Sequence, residues 1–148
     1  MLEVRLMLEC QAAALAAERA TPADISRIAA AIEAMAAQPR SLEENVKFDF
    51  DFHLRVAEAS HNLVLVTLVD AIRDLLYKTI LATHTLDSRI GIRISLHSAV
   101  LHGIQQHDPE AAQRAMRAHL EETKYLVSIV EAGQSMNSGG EEQKEIVG

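Results

Sequence analysis

Apolar residues recur along this chain at steps of three and four, the period of a helix face. The first stretch, Leu2 to Ala20, carries Leu2, Leu6, Cys10, Ala13 and Ala17 on one side. Thr21-Pro22-Ala23-Asp24 then restarts a helix: Thr21 caps it, Pro22 suits its first position, and Asp24 completes a capping box. The second helix shows Ile25, Ile28, Ala29, Ile32 and Met35 and ends near Pro39. Ser41 and Glu44 form another capping box, opening a third helix that runs to about Ser60. Asn62 is expected to cap a fourth, from Leu63 to about Thr83. His84 to Ser88 reads as a turn, which leaves His84 at the end of the bundle, exposed, with a place in the lining of a pocket as the lesser alternative. A fifth helix runs from about Arg89 to Gln106, and Asp108-Pro109 starts a sixth that ends near Ala132-Gly133. The tail 134–148 is rich in Gly, Ser and Glu and is expected to be disordered. The pattern predicts an all-α domain over residues 1–133, with about six to seven helices.

Polar residues interrupt three of these stripes. On the third helix Val46, Asp49, His53 and Val56 share one side, and Asp49 and His53 lie one turn apart. The fifth helix reads Ile90, Ile94, His97, Leu101, Ile104, and the sixth Ala112, Met116, His119, Thr123, Leu126, Val130. His97 and His119 stand where the pattern calls for Leu. An ionisable group in a core is costly unless paired or bound to a metal. Taken singly, each is commonly a hydrogen-bonded core histidine or half of a surface ion pair. Taken together, three helices each turn such a group inward, which points to one shared site. Three imidazoles and a carboxylate suit Zn, Ni, Mn or Fe(II), zinc foremost, better than Ca or Mg. The set can close a tetrahedral site or leave positions open for another ligand.

Composition narrows the function. Only six Gly and three Pro occur in 148 residues, as expected for a helical chain. A net charge of −7, 3% aromatics and no Trp argue against nucleic-acid binding by this segment. No long apolar run predicts a membrane span. The lone Cys10 cannot form an internal disulfide, and a reducing cytoplasm is the expectation. Met7, Met35 and Met116 read as core. No H-E-x-x-H, Gly-rich phosphate loop or Cys pair occurs. Glu58-Ala59-Ser60-His61 has a di-iron spacing, but it stands alone and reads better as a helix-end cluster.

The run Asp49-Phe50-Asp51-Phe52-His53, with Ala57-Glu58-Ala59-Ser60-His61-Asn62 after it, resembles a D-x-x-F-H…A-x-A-S-x-N element. That element belongs to the FadR C-terminal (FCD) domain, the effector-binding half of GntR-family bacterial transcription factors. Ser95-Leu96-His97, then Leu101, Ile104 and Asp108, resemble the family's next element, with a shorter spacing between Leu and His. Ala111, Met116, His119 and Leu120 follow the order of its A…M-x-x-H-L ending. Arg5 to Glu9 and Ala16 to Thr21 resemble its opening R-x-x-L-E…A-A-E-R-A-T helix. The resemblance spans about residues 2–132.

It implies an antiparallel helical bundle with a central metal held by Asp49, His53, His97 and His119. It further implies a small organic acid as effector, bound at the metal and paired with Arg5, while Arg93, one turn before His97, is a second candidate for that acid. A homodimer is implied, with DNA contacted only through a winged helix-turn-helix that is not in this chain. Asn62 is expected as a cap and not a ligand. Two other classes remain open at this stage: a metal-dependent enzyme acting on a small carboxylate, which lacks an evident general base, and a purely structural metal site.

Overall fold

The computed structural model describes residues 2–37, 41–86 and 90–141. Among the described residues there are seven helices: α1 (Leu2–Arg19), α2 (Pro22–Ala36), α3 (Leu42–Ala59), α4 (Leu63–Ala71), α5 (Arg73–Leu86), α6 (Ile90–Gln105) and α7 (Pro109–Glu141). They form an antiparallel bundle. α1 lies against α7 and α3, α6 against α7 and α2, and α5 against α3 and α7. No helix of the described residues is long and apolar enough to cross a membrane.

The expected starts are present as hydrogen bonds. Thr21 and Asp24 close one capping box, Ser41 and Glu44 another, and Asn62 Oδ1 accepts from the backbone of Val64 and Leu65. Asp108 Oδ1 accepts from Ala111 N at 2.9 Å at the start of α7. His107, just before it, takes the left-handed region at φ 51. Its ring nitrogen meets the Ala17 carbonyl at 2.8 Å, which offsets the strain of that conformation.

Four boundaries or placements differ from the sequence expectation. The fourth helix divides at Ile72, so α4 packs on α1 and α3 while α5 turns to place Leu76 and Ile80 against Val46. α5 continues through His84, which lies within a helix and is buried. α7 passes the expected end at Ala132-Gly133 and reaches Glu141; residues 142–148 of the tail lie outside the described residues. Met7 is 75% exposed and is not a core residue, whereas Met35 and Met116 are fully buried.

The main core joins α1, α2, α3, α6 and α7. Ala13, Ala16 and Ala17 present a face of small side chains to Phe52, Val100, Met116 and Leu120. α6 and α7 come together at Gly103, where an added Cβ would stand 2.6 Å from the Ala112 backbone nitrogen. Backbone on both sides of that contact cannot yield, so Gly103→Ala is expected to cost about 1–3 kcal/mol. Thermal melting checks this, and an unchanged melting temperature would contradict it.

Candidate metal centre

α3 brings Asp49 and His53 to the bundle axis one turn apart, and α6 and α7 bring His97 and His119 to meet them. All four are buried, and one ligand atom from each lies within 4.8 Å of the others. His97 Nε2 is 3.3 Å from Asp49 Oδ1 and 3.3 Å from His119 Nε2. His53 Nε2 is 3.2 Å from His119 Nε2 and 3.5 Å from Asp49 Oδ1. Neighbouring ligands held about 2.0–2.1 Å from one ion stand roughly 3.0–3.4 Å apart. The four adjacent spacings, 3.2–3.5 Å, are close to that size, and the whole set lies within 4.8 Å. Asp49 Oδ1 has no hydrogen-bond partner although it is fully buried. One proton can bridge only one pair of imidazole nitrogens, so lone pairs face one another at the centre. A divalent cation satisfies that arrangement, and these donors fit one.

Further side chains hold the four in place. The Phe52 ring stacks on His97, centroids 3.9 Å apart at 15°, and meets His53 edge-on at 5.2 Å. On α1, Arg5 Nε donates to Glu9 Oε1 at 2.6 Å, and Glu9 Oε2 lies 2.5 Å from His53 Nδ1. That second contact is an ion pair by distance, with the ring N–H off the line to the oxygen, so His53 Nδ1 makes no hydrogen bond. Arg5 Nη2 reaches to 3.4 Å from His53 Nε2. On the far side His84 Nε2 is 2.9 Å from Asp49 Oδ2, and Arg93 Nε is 3.6 Å from the same oxygen. A cleft lined by Arg93, Leu96, His119, Glu122 and Thr123 reaches the His119 side, with free volume of about 10 Å³. That is room for about one water.

The structure therefore brings together all six residues singled out in the sequence. Asp49, His53, His97 and His119 converge, and Arg5 and Arg93 stand beside them. The inward stripe of α6 is rotated from the expected one: Arg93, His97, Val100, Gly103 and Ile104 are buried, while Ile90, Ile94 and Leu101 are half-buried. Glu58 pairs with Arg55 and His61 with Asp24, so the Glu-x-x-His spacing builds no metal site. Sequence reasoning missed two neighbours of the ligands. Glu9 was one turn from Arg5, a spacing that lets the two pair within a buried face. His84 follows Leu76 and Ile80 at four-residue steps, which continues the inward stripe of α5.

Charge at the site is strongly perturbed. Burial pushes the Glu9 carboxyl up, but Arg5 and His53 outweigh it and hold the group at about 2. Burial likewise opposes ionisation of Asp49, and the imidazoles of His53, His84 and His97 beside its oxygens outweigh it and hold the group well below the carboxylate range. Burial lowers His97 to about 3 against the attraction of Asp49, and it lowers His119 well below its ordinary value, aided by His97 and His53. Burial disfavours charge on His53 too, but Glu9 and Asp49 raise it overall.

These directions set an acid limit for the metal-free protein. His97 and His119 stay neutral in the fold and gain protons on unfolding below their ordinary 6.5. Their contribution to stability is full above 6.5 and is lost progressively below it, for His97 down to about 3. His53 is raised, so its contribution is present below 6.5 and is lost as pH rises, opposite in sign to the other two rings. Glu9 contributes above its ordinary 4.5 and loses that contribution as pH falls through about 2. Melting temperature of the metal-free protein is expected to fall steadily from about pH 6.5 downward. A flat profile down to about pH 4.5 would contradict the assigned neutrality of the two rings.

Comparison with known proteins agrees with this architecture. Residues 1–122 match the FCD domain. The glc operon transcriptional activator of Escherichia coli is 34% identical over 140 residues, spanning 88% of this chain and 55% of that protein. The regulator LutR of Bacillus subtilis is 32% identical over 133 residues, spanning 86% and 61%. A putative L-lactate dehydrogenase operon regulatory protein of Escherichia coli is 32% identical over 123 residues, spanning 80% and 47%. Among solved structures, Escherichia coli McbR/YncC superposes with a TM-score of 0.69 at 18% identity, over 89% of this chain and 63% of that one. Streptococcus agalactiae GntR gives 0.63 at 21%, over 88% and 56%; at these identities the fold is what is shared. The chain spans about half the length of the curated relatives it matches. It belongs to the FCD domain family, the regulatory domain of GntR-type transcriptional regulators, and these relatives are regulators and not enzymes.

Proposed function

We propose that this chain is the effector-sensing domain of a GntR-type regulator, reading a small organic carboxylate at a divalent transition-metal centre. Asp49, His53, His97 and His119 would hold the ion, with zinc the first candidate and nickel, manganese and iron the others. The observation that carries the reading is the buried, unpartnered Asp49 Oδ1 facing imidazole nitrogens from α3 and α6. The bound ion would supply positive charge, and with it a point of attachment for an anion. Arg5 supports the carboxylate part of the reading. Its Nη1 is buried without a hydrogen-bond partner, and a guanidinium so placed favours an incoming carboxylate. Arg93, at the cleft beside His119, offers a second cationic group near the centre. A relative named for an L-lactate dehydrogenase operon points toward hydroxy acids as the first class to try.

The cleft is too small for such an acid as it stands. Entry therefore moves a helix, by loosening Arg5 from Glu9 on α1 or by parting α6 from α7. A sensor needs that coupling, because a ligand shifts an equilibrium only by its preference for one arrangement. DNA contact and switching would belong to a winged helix-turn-helix elsewhere in a longer regulator, acting as a homodimer in the cytoplasm.

Thermal shift with a panel of hydroxy and sugar acids tests the reading. One class of acid is expected to raise the melting temperature of the metal-loaded protein, to leave the metal-free protein unchanged, and to lose its effect in Arg5→Met. Acids that act only by chelating free metal would instead leave a structural metal site.

A further inference from the structure

The sequence placed His84 in an exposed turn, yet it is a buried group on α5 aimed at the centre. Asp49 divides its two oxygens. Oδ1 faces the Nε2 atoms of His97 and His53, while Oδ2 faces His84 Nε2 at 2.9 Å and Arg93 Nε at 3.6 Å. The side chains of His84 and Asp49 are each 3% exposed, so water does not compete for the contact. A carboxylate accepts, so His84 carries its proton on Nε2 and donates it to Oδ2.

We propose that His84 is a positioning residue of the metal centre, holding Asp49 as a one-oxygen ligand with Oδ1 alone presented to the ion. The inference rests on the metal-centre reading above. An aspartate side chain rotates about two bonds, and its oxygens are equivalent until something distinguishes them. A fixed donor on Oδ2 distinguishes them. With Oδ2 engaged, Asp49 fills one position at the ion and not two, and the position spared is available to an effector oxygen. Arg93 reinforces the arrangement as a charge, at a distance longer than a hydrogen bond. Hydrogen-bond partners of metal ligands commonly matter about 10–100-fold in metal affinity. His84 belongs in that class although it is no ligand itself.

The test is the zinc affinity of wild type, His84→Leu and His84→Gln, measured by competition with a chromophoric chelator. Metal-free melting of each variant is recorded alongside, and the visible spectrum of the cobalt-loaded form reports geometry. Leu keeps the packing volume and removes the donor, whereas Gln restores an N–H. Zinc binding is expected to weaken about 10–100-fold in His84→Leu, with an altered cobalt spectrum, and to recover most of that loss in His84→Gln. Equal zinc affinity in wild type and His84→Leu would overturn the inference and leave the metal centre standing. A His84→Gln affinity no better than that of His84→Leu would also overturn it, since the group then matters only by its packing. No zinc uptake by wild type would remove the metal centre itself and this role with it.

Discussion

Zinc added to the metal-free protein is expected to raise its melting temperature by roughly 10 °C, and to leave the His97→Ala/His119→Ala double variant unmoved. A ligand that binds only the folded state at about a thousand times its dissociation constant contributes about 4 kcal/mol. For a chain of this size each kcal/mol is worth roughly 2–4 °C. Metal binding stabilises here because the fold already gathers the donors. Three imidazoles and Asp49 Oδ1 lie at ligand spacing before any ion arrives. The double variant removes the donors that α6 and α7 bring to this cluster and leaves Asp49 and His53 on one helix. Two groups on one helix face cannot enclose an ion. The shift is read within each protein, so the baseline stability of the variant does not enter.

Phe52→Ala is the second large effect. Phe52 is fully buried in the main core, and losing a ring of that size typically costs about 3–5 kcal/mol. Its ring also stacks on His97 and meets the edge of His53, so the same substitution frees two ligands to rotate. Phe52→Leu separates the two roles. Leu retains much of the apolar volume and is expected to keep most of the stability, yet it offers no flat face to His97. Denaturant unfolding with zinc titration of both variants makes the comparison. Zinc affinity in Phe52→Leu equal to that of wild type would show that the stack contributes packing alone.

The sequence was legible where polarity broke a clear stripe. Asp49 and His53 sit between Val46 and Val56, and all four are buried as the pattern requires. His119 follows Met116 and Leu126 follows Thr123 on a buried face. Capping boxes at Thr21 and Ser41 set helix starts because side chain and backbone satisfy each other locally. The rest was hidden for specific reasons. α4 and α5 divide at Ile72 with neither Gly nor Pro to mark it, since tertiary packing of Leu76 and Ile80 on Val46 decides the turn. The buried face of α6 includes Arg93 and Gly103, neither of which an apolar stripe records. His84 and Glu9 stand at helical steps from inward residues, but their roles are set by partners on other helices, Asp49 and His53, which period does not show.

The most direct test of the account is metal content. The protein, purified without chelator or nickel resin, goes to elemental mass spectrometry beside the His97→Ala/His119→Ala variant. The account predicts about one divalent transition-metal ion per chain in wild type and none in the variant. A wild-type protein that carries no metal, even after incubation with zinc, nickel or manganese, would contradict it and return these histidines to the core.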